Sequence, residues 1–181
     1  AFTGADGIAG SPNAGGSSVG AGGSNPLYLS PVNIYRPWAH RRPFIGGNGA
    51  DFSVAQGGGG GGSLILLVEG DLDLTGCVIE ADGYASTSGP GGAGGGSIIV
   101  ICTGDMKPGT FRARGSGYGG LGTAGGGGGG YVQLVASSYS GPAATFDVTG
   151  GAGGAGGAGG AGYSNALTLS GDYIRSLLLG K

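Results

Sequence analysis

Short apolar runs recur along this chain at a fixed distance. Residues 64–68 read LILLV, residues 98–102 read IIVIC and residues 132–136 read VQLVA. Each follows a glycine-dominated block, GGGGGG at 57–62, GGAGGG at 91–96 and GGGGGG at 125–130. The interval is 34 residues, and a degraded fourth copy, GGAGYSNALTLS, is expected at the same offset over residues 159–170. A self-similar interval of this length marks a repeat architecture, in which each unit buries an apolar face only by stacking on its neighbours.

LILLV and IIVIC show no polar alternation, which predicts strands covered on both faces. A second pattern follows in every repeat: Ile79-Glu80-Ala81-Asp82, Phe111-Arg112-Ala113-Arg114 and Phe146-Asp147-Val148-Thr149. Phe52-Ser53-Val54 shows it before the first glycine block. Alternation with period two predicts a half-buried strand, apolar side inward and charged side in water. Each repeat is therefore read as an inner and an outer strand. Gly70-Asp71, Gly104-Asp105 and Ser140-Gly141-Pro142 supply the turn between them, and Gly171-Asp172 repeats that turn after the fourth inner strand. Residues 173–181, YIRSLLLGK, form an apolar cap.

Glycine blocks lose more backbone entropy on ordering than any other residues, so a folded role has to return specific contacts. In GGAGGAGGAGGAG, residues 150–162, Ala152, Ala155, Ala158 and Ala161 recur every third position. That is the period of a polyproline II-like helix, whose backbone groups point outward and bond to neighbours when no side chain intervenes. The whole tract would then span about 40 Å.

The opening residues, 1–24, alternate glycine with alanine and serine and predict an extended arm. Residues 25–43 differ. They hold four of the eight prolines, the single Trp and the single His, and prolines at this density exclude a regular helix. Tyr35, Arg36, Trp38, His40, Arg41 and Arg42 form the best candidate docking surface for a partner subunit.

Composition narrows the function. The chain has 181 residues, 51 of them glycine, and a net charge of −2. No basic stripe suggests nucleic acid, and no apolar run approaches the ~20 residues of a membrane-spanning helix. Only 10% of residues are charged, and a near-neutral surface favours assembly with other subunits. Cys77 and Cys102 lie in apolar runs and read as small buried hydrophobes, with one disulfide between neighbouring repeats as the alternative.

Motifs for chemistry do not accumulate. GxGxxG patterns at 89–94 and 115–120 arise readily in a glycine-rich chain and precede no helix, so no nucleotide cofactor is expected. Glu69, Asp71 and Asp73 cluster without the length or glycine spacing of a calcium loop, and His40 has no partner set for zinc or for a catalytic relay. No metal site and no catalytic residues are assigned. Tyr84, Tyr118, Tyr131, Tyr139 and Tyr163 border glycine tracts; there they either cover bare backbone or present rings to a sugar.

The block GGGGGGS followed by LILLV or IIVI, a Gly-Asp turn, an alternating strand and another glycine tract resembles the glycine-rich repeats of bacteriophage virion proteins and some bacterial surface proteins. The resemblance covers residues 57–170. Among those proteins, tail-fibre adhesins of T-even-like phages stack polyglycine helices that present variable loops to a host receptor. The resemblance implies a virion or extracellular location, with copies of itself and other virion subunits as partners. The expected fold is all-β, a 34-residue repeat of short β-strand pairs with intervening polyglycine II-like segments. The arm and docking segment occupy 1–56, the repeat domain 57–170 and the cap 171–181. The expected function is a non-enzymatic structural subunit: fibre, appendage or capsid decoration. A receptor- or glycan-binding adhesin using loops around Tyr84 and Tyr118 is the alternative. Ice binding is a third reading, weakened by the lack of threonine ranks.

Overall fold

Every third strand returns to the same sheet. The computed structural model describes residues 58–85, 91–118 and 124–179. The first coil carries β1 (Ser63–Val68), β2 (Leu72–Asp73) and β3 (Val78–Glu80); the second carries β4 (Ser97–Cys102), β5 (Asp105–Lys107) and β6 (Thr110–Arg112). The third repeats the set as β7 (Tyr131–Ala136), β8 (Ser138–Tyr139) and β9 (Thr145–Asp147). A fourth begins with β10 (Tyr163–Thr168) and passes into the helix α1 (Gly171–Leu179). The sheets run β1-β4-β7-β10, β2-β5-β8 and β3-β6-β9, all parallel.

This corrects the expected fold. The strands of one repeat do not pair with each other; each pairs in parallel with its counterpart one coil away, and one short helix follows the last strand of the long sheet. The reason is physical. Alternation and apolar runs report which faces are buried, whereas the partner of a strand is set by where the turns send the chain. Parallel pairing needs a long crossover, and one full repeat supplies it.

Register follows the repeat only in part. Ser63, Ser97 and Tyr131 stand in one column at the expected interval, and Ser97 Oγ donates to Ser63 Oγ at 3.1 Å across 34 residues. The fourth copy departs: Tyr163 stands over Tyr131, two residues short of the expected offset. In the third sheet, Arg112 lies over Glu80 at a separation of 32 residues. Insertions and deletions are absorbed between strands while strand columns stay aligned.

Two apolar layers sit on either side of the long sheet. Inside the coil, Ile98, Val100, Cys102, Val132, Leu134 and Ala136 pack with Met106, Phe111 and Ala113, all fully buried. Phe111 stacks on Phe146 with ring centres 6.0 Å apart. On the outer face, Ile99, Ile101 and Val135 are covered by Ile174 of α1. Gly171-Asp172, expected as a turn, instead opens that helix. Ser170 caps it, its Oγ accepting from Tyr173 N–H and its carbonyl from Ile174 N–H, and Asp172 lies in the first turn, where the helix dipole favours a negative charge. Burying Ile174 contributes about 1.5–3 kcal/mol.

Glycine tracts make the return path. Donors recur every third residue: Gly92 and Gly95 bond to the carbonyls of Gly125 and Gly128, and Gly126 and Gly129 to those of Gly157 and Gly160. Other amides turn sideways, Gly127 to Ser116 O and Gly130 to Ala113 O. A β-carbon on Gly127 would overlap the Ala93 backbone, so close approach here requires glycine. The tract 150–162 is not one 40 Å rod. It reverses at Gly157, whose φ is 85°, and Gly159 N–H returns to Gly151 O at 3.0 Å. Ala152, Ala155, Ala158 and Ala161 are nonetheless all exposed, the glycines between them less so.

Candidate functional site

Charged side chains collect in columns that cross the coils. Outward positions of β2, β3 and the segment after β3 carry Asp73, Glu80 and Asp82, and the same columns one coil on carry Lys107, Arg112 and Arg114. Lys107 Nζ lies 3.2 Å from Asp73, and Arg112 Nη1 lies 2.6 Å from Glu80. Arg114 holds Asp82 by two bonds, Nε at 2.9 Å and Nη2 at 2.6 Å, and approaches Asp147 of the third coil at 3.8 Å. The Asp82 carboxylate raises the guanidinium pKa of Arg114, first through that hydrogen bonding and then by its charge.

The acidic cluster is dispersed among separate partners. Glu69 pairs with Arg175 of α1 at 3.2 Å, Asp71 Oδ1 accepts from Asp105 N–H at 2.7 Å, and Asp73 accepts from Thr75 N–H and Lys107. Asp73 is held at about 2, below its ordinary 3.8, by hydrogen bonding from the Thr75 hydroxyl and N–H and then from Lys107. Asp105 is also lowered, because the hydroxyls of Ser138 and Ser140 donate to it. Among the described residues no group of three or more His, Cys, Asp or Glu side chains is placed to hold a metal ion.

Aromatic residues divide into two kinds. Tyr131 and Tyr163 stack with centroids 5.8 Å apart, Tyr131 Oη donates to Gln133 Oε1, and Tyr139 Oη donates to Leu167 O. Burial pushes the hydroxyl pKa of Tyr131 and Tyr139 well above the ordinary range. These three are structural. Tyr84 and Tyr118, the candidate ligand-loop residues, are 73% and 36% exposed. The loop residues that follow them, 86–90 and 119–123, lie outside the described residues, as do Tyr35, Arg36, Trp38, His40, Arg41 and Arg42.

Cys102 is buried as expected, and burial raises its thiol pKa. Cys77 is exposed and both thiols are free, which overturns the expected burial of Cys77 and the alternative disulfide.

Where the fourth coil gives way to α1, no strand among the described residues follows β10 to cover β8 and β9. A groove of about 390 Å³ is left between Pro108, Tyr139, Pro142, Ala144, Phe146 and Ala166. Its lining is apolar, and its two hydroxyls are committed, Tyr139 to Leu167 O and Ser140 to Asp105. The sequence reading missed the ion-pair ladder. Its signal was present: writing Ile79-Glu80-Ala81-Asp82 above Phe111-Arg112-Ala113-Arg114 sets each acid over a base.

No protein family, no curated protein and no solved structure matches this chain.

Proposed function

We propose that this chain is a non-enzymatic structural subunit of a virion or similar extracellular assembly, a stiff spacer built from stacked coils. The observation that carries the proposal is the use of the backbone. Strands and glycine tracts alike bond from coil to coil, so the described stack resists bending along most of its outline. Polar side chains serve the same end: the acids of the first coil are bonded to residues of later elements. The resemblance of the repeats to those of glycine-rich virion proteins supports the proposed location.

A second reading, a receptor- or glycan-binding adhesin, is favoured by the exposure of Tyr84 at the mouth of a loop. Copy number separates the two. A spacer is expected at high copy number in purified particles and stays attached in moderate denaturant. Few copies per particle, with infection blocked by the free chain, would establish the adhesin instead.

A further inference from the structure

The last strand of the long sheet has a bare outer edge. Tyr163 N–H bonds to Gly130 O and Leu169 N–H to Ala136 O, so alternate residues of β10, beginning with Tyr163, turn their amides toward β7. Ser164, Ala166 and Thr168 lie between them and turn N–H and C=O the other way, where no described residue meets them. Ala166 and Thr168 are exposed, and so are Ser138, Pro142 and Thr145 on the third coil. The chain that follows leaves this end clear. α1 folds back over the outer face, with Ile174 against Ile99, Ile101 and Val135 and Arg175 3.2 Å from Glu69 of the first coil.

The apolar inside of the coil opens at the same end. The column Leu66, Val100, Leu134, Ala166 runs along the inner layer, and Ala166 is its last member. With Tyr139, Ala144 and Phe146 it lines the groove of about 390 Å³. A bare strand edge beside an open apolar interior is the cross-section of one coil, and the surface that matches it in outline is another coil of the same kind.

Charge selects which end of a second copy fits. Residues 138–170 hold a single charged side chain, Asp147, and Arg114 already approaches it at 3.8 Å. The first coil carries Glu69, Asp71, Asp73, Glu80 and Asp82, and residues 58–85 contain no Lys or Arg. Head-to-tail stacking would continue the column Glu80, Arg112, Asp147 with Glu80 of the next copy, setting acid against acid. Tail to tail, two nearly neutral ends meet. A two-fold axis through Ala166 sets Ser164 opposite Thr168 of the second copy, a favourable hydroxyl pair made twice, and Ala166 opposite its own counterpart. The outward amides of all three residues then exchange hydrogen bonds in the antiparallel pattern.

We propose that two copies of the chain join tail to tail across this end, β10 pairing antiparallel with β10 of the second copy, so that the two open coil interiors close on each other. The proposal rests on the reading of the chain as a structural subunit and names that subunit's first partner.

The test uses the full chain carrying Cys77→Ser. Ala166→Cys places two thiols on directly opposed residues of an antiparallel pair, about 5.5 Å apart at Cα, a spacing a disulfide accepts. Mild oxidation is expected to give a covalent dimer, whereas Tyr84→Cys, at a position 73% exposed on the first coil, stays monomeric. Sedimentation of the parent chain is expected to show monomer and dimer with nothing larger. Ala166→Asp sets two carboxylates face to face and is expected to weaken that equilibrium about tenfold or more, with far-UV circular dichroism unchanged. Equal bridging of the two cysteine variants, oligomers beyond the dimer, or an Ala166→Asp chain that dimerises like the parent overturns the proposal. A parent chain that stays monomeric overturns it too and leaves the end to a different occupant, while the structural-subunit reading is decided separately by copy number in particles.

Discussion

Arg114 on the second coil grips Asp82 on the first through a two-pronged bond of 2.9 and 2.6 Å, and its Nε lies 3.8 Å from Asp147 on the third. One side chain thus ties three successive coils. The pair is partly exposed, at 43% and 23%, so solvent screening discounts it to about 0.5–1 kcal/mol. Arg114→Gln is expected to lower the unfolding free energy read from urea titration by that amount. Most of the loss should disappear in the Asp82→Asn background, which a double-mutant cycle reads directly.

Glycine is required at some positions and free at others. A β-carbon on Gly127 would overlap the Ala93 backbone, which cannot swing aside, whereas one on Gly59 meets no described atom within 4 Å. Gly127→Ala is expected to cost more than about 2 kcal/mol. Gly59→Ala should fall between neutral and a gain of about 1 kcal/mol, through a less entropic unfolded chain. Chemical denaturation of the two variants side by side checks the contrast.

The core makes the same point with a side chain. Phe111 is fully buried and stacked on Phe146, and no described neighbour is an easy replacement for its ring. Phe111→Ala is expected to destabilise by about 3–5 kcal/mol, whereas Phe111→Leu should cost markedly less. Thermal melts of the two variants measure it.

How much of this was legible beforehand differs from feature to feature. The columns Ser63–Ser97–Tyr131 and Ile79–Phe111–Phe146 follow from aligning the repeats. The parallel pairing did not, because burial patterns specify faces and are silent about partners. The fourth copy slipped by two residues since Tyr163, and not Asn165, follows its last glycine and stacks on Tyr131. Gly171-Asp172 has the composition of the earlier turns, yet Ser170 caps a helix there because Ile174 can cover the outer face of β4 and β7. The reversal at Gly157 left no mark in a sequence where every neighbour is glycine or alanine. Candidate site residues were legible as types, and the ion-pair ladder became visible only once the register was known.

Acid should loosen the first two coils before the interior fails. Asp73 titrates at about 2 and Asp105 is likewise depressed, both by hydrogen bonds present only in the fold. A carboxylate depressed on folding contributes stability above its unfolded value near 3.9, and that contribution is lost as pH falls through the folded value. Melting temperature is therefore expected to fall between pH 4 and pH 2. In the double variant Asp73→Asn, Asp105→Asn it should start lower at pH 7 and change less over that window. A variant as steep as the parent would locate the acid sensitivity elsewhere.

The two thiols offer a direct check on which way the first coil faces. Cys77 sits in the turn before β3 and is exposed; Cys102 ends β4 inside the coil, where burial raises its pKa and its Sγ lies 3.5 Å from Gly104 O. A thiol reacts as its thiolate and only where reagent can reach it, so both factors separate the pair in the same direction. Under native conditions a maleimide is expected to label Cys77 within minutes and leave Cys102 unmodified until denaturant opens the coils. Labelling of Cys102 should then follow the same denaturant dependence as loss of strand signal in circular dichroism. If instead Cys102 reacts with Cys77 in buffer, the interior of the second coil is accessible without unfolding, and the packing of Ile98, Val100 and Met106 around it does not hold.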